Sequence, residues 1–177
     1  MKTRGYFIKG DKGFTLVELL VSLAIMGIVL AAIFSFFLFN YKNFIREDEN
    51  AEIQYQLQMA MNDIVDNVIY AEGISGTPTT DGDSKIKKII FQRQGTSGTE
   101  YYIIEHSTEA LLYAETDSDT PESEDATNEF ADCIEYLKIT PTDGDYDTCD
   151  GIEIEIKGVK GDSELIINNI VYFRNSN

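Results

Sequence analysis

The feature that most constrains this chain is an apolar run from Phe14 to Phe39 whose single charged side chain is Glu18. As a helix rising about 1.5 Å per residue, the run measures roughly 39 Å, which exceeds the roughly 30 Å hydrocarbon core of a bilayer. A charge at bilayer depth costs at least roughly 2.5–3.5 kcal/mol, so Glu18 requires a partner. The run predicts a membrane-spanning helix that carries one functional carboxylate.

The residues before this run are basic, and their charge predicts the orientation in the membrane. A flank of this kind stays cytoplasmic while the rest of the chain is exported; here it contains Lys2, Arg4, Lys9 and Lys12 against Asp11 alone. A secretory signal peptide places its small-residue cleavage site after the apolar region. In this chain the small residue, Gly13, comes before it. Cleavage after Gly13 would therefore remove the basic leader and leave the membrane helix attached.

The segment from Lys12 to Leu20, with the apolar run behind it, resembles the N-terminus of type IV prepilins and of the related pseudopilins. The resemblance implies that a prepilin peptidase cuts after Gly13 and methylates the new amino terminus at Phe14. It also implies that Glu18, the fifth residue of the processed chain, serves subunit assembly. The implied partners are other pilin subunits, the peptidase, the membrane and the assembly platform of a pilus or secretion system.

The spacing of Glu18 from the cleavage site suggests how that carboxylate would act. The freed amine of Phe14 on one subunit can pair with Glu18 of a neighbour that is offset along a filament. Each ion then offsets the desolvation cost of the other, so the pair favours correctly staggered addition of subunits. The alternative is that Thr15 and Glu18 form an ordinary capping box at the start of a membrane anchor.

The residues from 40 to 72 contain no proline or glycine and continue the helical pattern. Their apolar side chains recur at helical spacing, at Ile53, Leu57, Ala60/Met61, Ile64, Val68 and Ala71. The opposite side is polar and is expected to face water or neighbours, with Glu49, Glu52, Gln56, Asp63, Asp66 and Asn67. Gly73 is expected to end the helix. The apolar stripe is expected to pack on a globular head, and a coiled coil is the alternative.

After Gly73 the pattern changes to strands and turns, which predicts an α+β protein. Six segments have strand character, at residues 85–91, 100–105, 110–113, 134–139, 152–157 and 165–173. The pilin fold implied by the resemblance is a long N-terminal helical spine on an antiparallel sheet. The expected divisions are a leader at 1–13, a membrane half-helix at 14–39, an amphipathic half-helix at 40–72 and a head at 73–177.

The net charge and the residue content of the chain argue against two classes of function, nucleic-acid binding and catalysis. The net charge is −17, and the chain beyond the leader holds ten bases against thirty acids, a net −20. Direct nucleic-acid binding is not expected, because phosphate affinity comes from clustered Lys and Arg. Catalysis is not expected either, since His106 is the single histidine and no nucleophile motif, phosphate loop or His/Cys ligand set is present.

The predicted head contains two cysteines that could form a disulfide. Cys133 and Cys149 form an even pair in an exported region, which favours a disulfide. A simple hairpin of 134–139 with 152–157 would instead place Cys133 opposite the region of Lys157.

The acidic loop around Asp143, Asp145, Asp147 and Asp150 is a candidate calcium site, although it departs from the EF-hand pattern at two positions. A plain exposed loop is the alternative.

The sequence as a whole predicts a structural subunit of a type IV pilus or pseudopilus. The segments 54–68 and 167–174 resemble minor subunits of the J or W type, which prime assembly at a filament tip. Such a protein would first lie as a single-pass protein in the cytoplasmic membrane and then enter an extracellular or periplasmic filament. The alternative is a membrane-anchored adhesin or cation-binding module with an acidic head. No cofactor is required for the first function.

Overall fold

The structure is a computed structural model that describes residues 13–96 and 98–174. The basic leader, residues 1–12, lies outside the described residues. The chain divides into two compact units, one up to Phe44 and one from Ile45 onwards. Helix α1, Leu16–Val68, contributes to both of them.

In the first unit, α1 is almost entirely apolar through Phe39, and the polar residues Asn40, Lys42 and Asn43 follow. Its most hydrophobic window has a mean hydropathy of 2.7, and none of that window is buried. The helix is long and apolar enough to cross a membrane, as the sequence predicts.

In the second unit, α1 has one buried face. That face consists of Ile53, Leu57, Ala60, Met61, Ile64 and Val68. The predicted apolar stripe is therefore confirmed, and it packs on the head of its own chain rather than in a coiled coil.

The helix ends earlier than the sequence predicts. It stops at Val68 instead of Glu72, and residues Ala71–Ile74 form strand β1. Ala71 is fully buried and pairs with Arg93 of the neighbouring strand. Helical spacing continues through Ala71 in the sequence, but pairing with the sheet determines its conformation.

The head consists of nine strands in the described residues, joined by short turns and one 3₁₀ turn at Pro121–Ser123. The strands are β1 Ala71–Ile74, β2 Thr79–Thr80, β3 Ile86–Gln94, β4 Thr99–Ser107, β5 Ala110–Thr116, β6 Asn128–Ala131, β7 Ile134–Pro141, β8 Gly151–Lys160 and β9 Ser163–Tyr172. All six predicted strands are present. The short strands β1, β2 and β6 were not predicted.

The strands form two antiparallel sheets that share one core with α1. The first sheet has the order β1-β3-β4-β5-β6, with β2 also on β3, and the second has the order β7-β8-β9. In β8 the isoleucines at 152, 154 and 156 are buried, whereas Glu153 is exposed and Glu155 and Lys157 are half-buried. This alternation agrees with a strand that has one face against the core.

Strand β8 approaches α1 closely at Gly158. A Cβ atom at that position would lie 2.7 Å from Cγ2 of Ile53 and 3.3 Å from Cδ2 of Leu57. Glycine therefore allows the helix to lie against the strand backbone, and this contact brings the polar residues on the side of α1 within reach of the sheets.

Candidate functional site

The predicted cleavage site lies in a short segment without regular structure. Gly13, Phe14 and Thr15 precede the first turn of α1. Among the described residues, no atom beyond the adjacent residues lies within 4 Å of the position that a Cβ of Gly13 would occupy, and Phe14 is 85% exposed. A peptidase acts on accessible backbone that is not held in a helix, and this segment meets both conditions.

Glu18 lies in the first turn of α1 and forms a capping box with Thr15. The backbone N–H and the hydroxyl of Thr15 both donate to Oε2 of Glu18 at 3.0 Å. In return, the backbone N–H of Glu18 donates to Oγ1 of Thr15 at 3.3 Å. The capping role considered from the sequence is therefore present. Both bonds from Thr15 use Oε2 of the carboxylate, and among the described residues Oε1 accepts no hydrogen bond.

The other polar side chains of the apolar segment are satisfied by the helix itself. The hydroxyl of Ser22 donates to the carbonyl of Glu18 at 2.7 Å, and that of Ser35 donates to the carbonyl of Ala31 at 2.9 Å. Such bonds remove the need for an outside partner. Glu18 is thus the group in this segment whose charge still requires one.

The apolar surface around Glu18 is extensive. Within α1 up to Phe44, every described residue is exposed, including Leu23 at 63% and Phe36 at 71%. Side chains of this kind are stable only in lipid or against other apolar helices, because isolated soluble proteins rarely expose apolar patches of this extent. The segment can therefore lie in a membrane or pack with copies of itself or related helices.

The polar side of α1 in the second unit differs from the expectation. Most of its predicted water-facing residues are half-buried and bind the head. Glu49 accepts from Ser163, Glu52 pairs with Lys160, Gln56 accepts from the N–H of Asp132, Asp63 accepts from Tyr102, and Asn67 accepts from Arg93. Asp66 is exposed. The prediction was wrong for these five because they border the buried stripe, where a side chain can reach past the helix to the sheet.

The predicted disulfide is absent, and both cysteines are free. The register of β7 with β8 explains this result. Cys133 precedes β7, and its carbonyl accepts from the N–H of Val159, whereas Cys149 precedes β8 at the opposite end of the hairpin. Seven residues of extended strand separate the two ends by roughly 23 Å, far beyond the reach of a disulfide.

Among the calcium candidates in the loop between β7 and β8, Asp143 stabilises the turn through its side chain. Oδ1 of Asp143 accepts from the backbone N–H of Asp150 at 3.2 Å and from the hydroxyl of Thr142 at 3.1 Å. Among the described residues, Asp143, Asp145, Asp147 and Asp150 do not form a group at metal-ligand distances. The structure therefore gives the loop a role in closing the hairpin.

His106, at the end of β4, joins the two sheets. Its Nε2 lies 2.9 Å from the carbonyl oxygen of Ile134, the first residue of β7. This geometry makes Nε2 a donor, which assigns the proton to that nitrogen. The contact gives the side chain a structural role between β4 and β7.

A group of titratable side chains that the sequence did not reveal lies beside α1. One ligand atom from each of Glu52, Asp132 and Cys133 lies within 4.8 Å of the others. Burial, together with the adjacent Asp132 carboxylate, raises the pKa of the Cys133 thiol, and the hydrogen bond to Glu52 raises the pKa of Lys160. The sequence did show polar residues beside the apolar stripe of α1, Glu52 among them. It did not show that Asp132 and Cys133 would lie next to Glu52.

Comparison with known proteins agrees with the N-terminal resemblance. A family model described as the prokaryotic N-terminal methylation motif matches residues 8–34, of which residues 13–34 are described by the structure. No curated protein and no solved structure matches the chain. The match covers the candidate cleavage site, Glu18 and most of the exposed apolar helix.

Proposed function

We propose that this chain is a minor subunit of a type IV pilus or pseudopilus, because its N-terminal segment matches the prokaryotic N-terminal methylation motif. In this proposal the precursor is cleaved after Gly13, methylated at Phe14 and built into a filament through the first part of α1. The observation that carries the proposal is the exposed apolar surface of α1 up to Phe44. That surface requires lipid before assembly and apolar helices of other subunits afterwards.

The proposed role of Glu18 is to select the stagger between subunits. Thr15 binds Oε2 of the carboxylate, so Oε1 can accept from the N-terminal amine of Phe14 on a neighbour. Either ion alone is unfavourable in an apolar setting, and the pair is most favourable when one helix is offset along the other. Capping and pairing are compatible because they use different oxygens.

The proposed partners follow from the same segment. Prepilin peptidase would act on the accessible Gly13 to Phe14 bond, and other pilin subunits would cover the apolar helix. The assignment to the J or W type of minor subunit rests on the resemblance of segments 54–68 and 167–174. The acidic head would lie outside the cytoplasm, in a periplasmic or extracellular filament.

The test compares Glu18→Ala with wild type in cells that contain the assembly system. We expect Glu18→Ala to be cleaved and methylated normally but to be strongly depleted from sheared filaments, because the amine of the incoming subunit loses its partner. Glu47→Ala is the matched control, since Glu47 is an exposed acid of α1 beyond the apolar run. We expect it to enter filaments at the wild-type level.

Mass spectrometry of the cell-derived chain tests processing separately. The expected product begins at Phe14 and carries one methyl group on its amine. A chain that still begins at Met1 in cells with active peptidase contradicts the proposed processing. Equal incorporation of Glu18→Ala and wild type into sheared filaments contradicts the pairing mechanism while leaving membership of the filament intact.

A further inference from the structure

We propose that Glu52, Asp132 and Cys133 form a binding site for one thiophilic divalent cation of the Zn²⁺ class. Glu52 lies on α1, and the other two residues form the corner between β6 and β7. One ligand atom from each residue lies within 4.8 Å of the other two. The site is thus composed of two segments that are far apart in sequence and meet only in the folded head.

A second observation, independent of this proximity, also indicates a missing cation. Oδ1 of Asp132 is buried, exposing less than 1 Å² of surface, and it has no hydrogen-bond partner among the described residues. A buried carboxylate oxygen without a donor is strongly unfavourable, and such atoms are uncommon unless a water or an ion supplies the contact. A cation between the three side chains would give this oxygen a direct contact, which the nearby ammonium of Lys160 does not make.

The charges around the site suit a divalent ion. A bound metal would displace the thiol proton of Cys133 to solvent. The three ligands would then carry three negative charges, and the ammonium of Lys160 beside Glu52 contributes one positive charge. A divalent cation would make the group neutral. Lys160 can keep its hydrogen bond to Glu52 while the second oxygen of that carboxylate faces the ion, and outer contacts of this kind orient metal ligands.

The sulfur of Cys133 identifies the class of metal. Ca²⁺ and Mg²⁺ bind oxygen ligands, whereas Zn²⁺ accepts thiolate and carboxylate together. With Zn–S near 2.3 Å and Zn–O near 2.1 Å, tetrahedral ligands lie roughly 3.4–3.6 Å apart. From separations of up to 4.8 Å, the three atoms would therefore have to approach one another by at most about 1.2–1.4 Å. Three protein ligands leave one position for water, as in open zinc sites.

A bound ion would fasten α1 to the corner between β6 and β7. Gln56 already makes one contact there, since its Oε1 accepts from the backbone N–H of Asp132 at 3.3 Å. The proposed site lies one turn before this contact on the same side of the helix. Binding would add a second attachment to the same corner and would stabilise the head by mass action.

The experiment titrates Co²⁺ into the full-length chain in detergent, after chelation of metals and in the presence of a phosphine reductant. Cobalt is the probe because a bound thiolate produces a charge-transfer absorption, which the many surface carboxylates cannot produce. We expect this absorption to saturate at one ion per chain and to disappear when Zn²⁺ is added in equal amount.

Variants then assign the ligands. Cys133→Ser is expected to abolish the charge-transfer absorption, whereas Cys149→Ser, the matched control at the other end of the hairpin, is expected to retain it. Asp132→Asn is expected to raise the dissociation constant at least about tenfold. Circular dichroism of each variant shows whether it folds. If Cys133→Ser does not fold, slower alkylation of Cys133 by iodoacetamide in wild type on addition of Zn²⁺ replaces that measurement.

Three results would overturn the proposal. The first is cobalt binding by wild type without the thiolate absorption, which indicates adventitious binding to carboxylates. The second is an absorption that persists in Cys133→Ser, and the third is an unchanged dissociation constant in Asp132→Asn. None of these results bears on assembly through α1, so this proposal can fail while the proposed function stands.

Discussion

The two parts of α1 have the same secondary structure but opposite surroundings. Up to Phe44 every described residue of the helix is exposed, and through Phe39 the helix is apolar on all sides except for Glu18, Ser22 and Ser35. From Ile53 onwards one face of the helix is buried, and polar side chains border it. A helix that is apolar all round requires an apolar medium or other helices, whereas an amphipathic helix is satisfied by its own domain.

This difference implies that the first part of α1 serves contacts with partners, whereas the second part stabilises the folded head. In the first part, substitutions are expected to change partner contacts without changing the stability of the head. In the second part, the same kind of substitution removes contacts of the core. Equilibrium unfolding of the full-length chain in detergent can measure the second effect, with tyrosine fluorescence as the probe because the chain contains no tryptophan.

The largest expected effect on stability comes from truncating a buried leucine of the second part. Leu57 is fully buried, so Leu57→Ala should lower the free energy of unfolding of the head by about 2–5 kcal/mol through lost burial and a residual cavity. Leu23→Ala is the matched control in the exposed part. Urea unfolding should show no change for that control, and equal losses in the two variants would contradict the division of α1.

The next effect concerns the polar border of the buried face. The hydroxyl of Tyr102, which is 1% exposed, donates to Oδ2 of Asp63 at 2.8 Å. Tyr102→Phe should lower the free energy of unfolding by about 1.5–3 kcal/mol, because a half-buried carboxylate loses its donor. Urea unfolding at neutral pH measures the loss. A change below a few tenths of a kcal/mol would show that water replaces the hydroxyl.

The same tyrosine makes stability depend on alkaline pH. Burial, followed by the hydrogen bond to Asp63, raises the pKa of Tyr102 far above its ordinary value. The folded head therefore holds this proton more tightly than the unfolded chain does. Its contribution is complete below about pH 10 and falls by about 1.4 kcal/mol per pH unit above it. Unfolding between pH 9 and 11 should show a smaller decline for Tyr102→Phe than for wild type.

A smaller loss is expected where β8 approaches α1. The new Cβ of Gly158→Ala would lie 2.7 Å from Cγ2 of Ile53, so the helix must shift, at a cost of about 1–3 kcal/mol. Adding Ile53→Ala removes that methyl group, so the double variant should lose less than the sum of the two single variants. Gly82→Ala is the control, because no described atom beyond its chain neighbours lies within 4 Å of its Cβ position. Strict additivity would show that the two residues do not meet.

The smallest expected effect is that of a reductant. Both cysteines are free and lie at opposite ends of the β7–β8 hairpin, so packing rather than a cross-link holds the head. A phosphine reductant should leave the urea midpoint unchanged. A lower midpoint on reduction would reveal a disulfide and would contradict the observed register.

Local pattern was sufficient for most of the secondary structure. The alternation in β8 and the helical spacing of Ile53, Leu57 and Ile64 both gave the correct buried face. The end of α1 was placed too late because Ala71 fits the helical spacing equally well, and its conformation depends on pairing with Arg93 of β3. The strands β1, β2 and β6 are too short to show a period of their own.

The candidate sites also differ in whether the sequence alone could predict them. The accessible Gly13, the exposed Phe14 and the first-turn Glu18 lie close together in sequence, so the sequence motif identifies them without knowledge of the tertiary structure. The group of Glu52, Asp132 and Cys133 depends on contacts between residues about eighty positions apart, and nothing in their local sequence relates them. The disulfide prediction was wrong for the same reason, since it used the number of cysteines without the register of the hairpin.

The sequence by itself determined an apolar helix carrying one carboxylate, followed by an amphipathic continuation and a strand-rich acidic head. These properties follow from composition and periodicity, which act within a few turns or a single strand. Only the tertiary structure decided where α1 ends, which polar residues on its side bind the sheets and which thiol lies beside two carboxylates. Those outcomes depend on strand register and on the close approach at Gly158, which are long-range packing effects that no local pattern encodes.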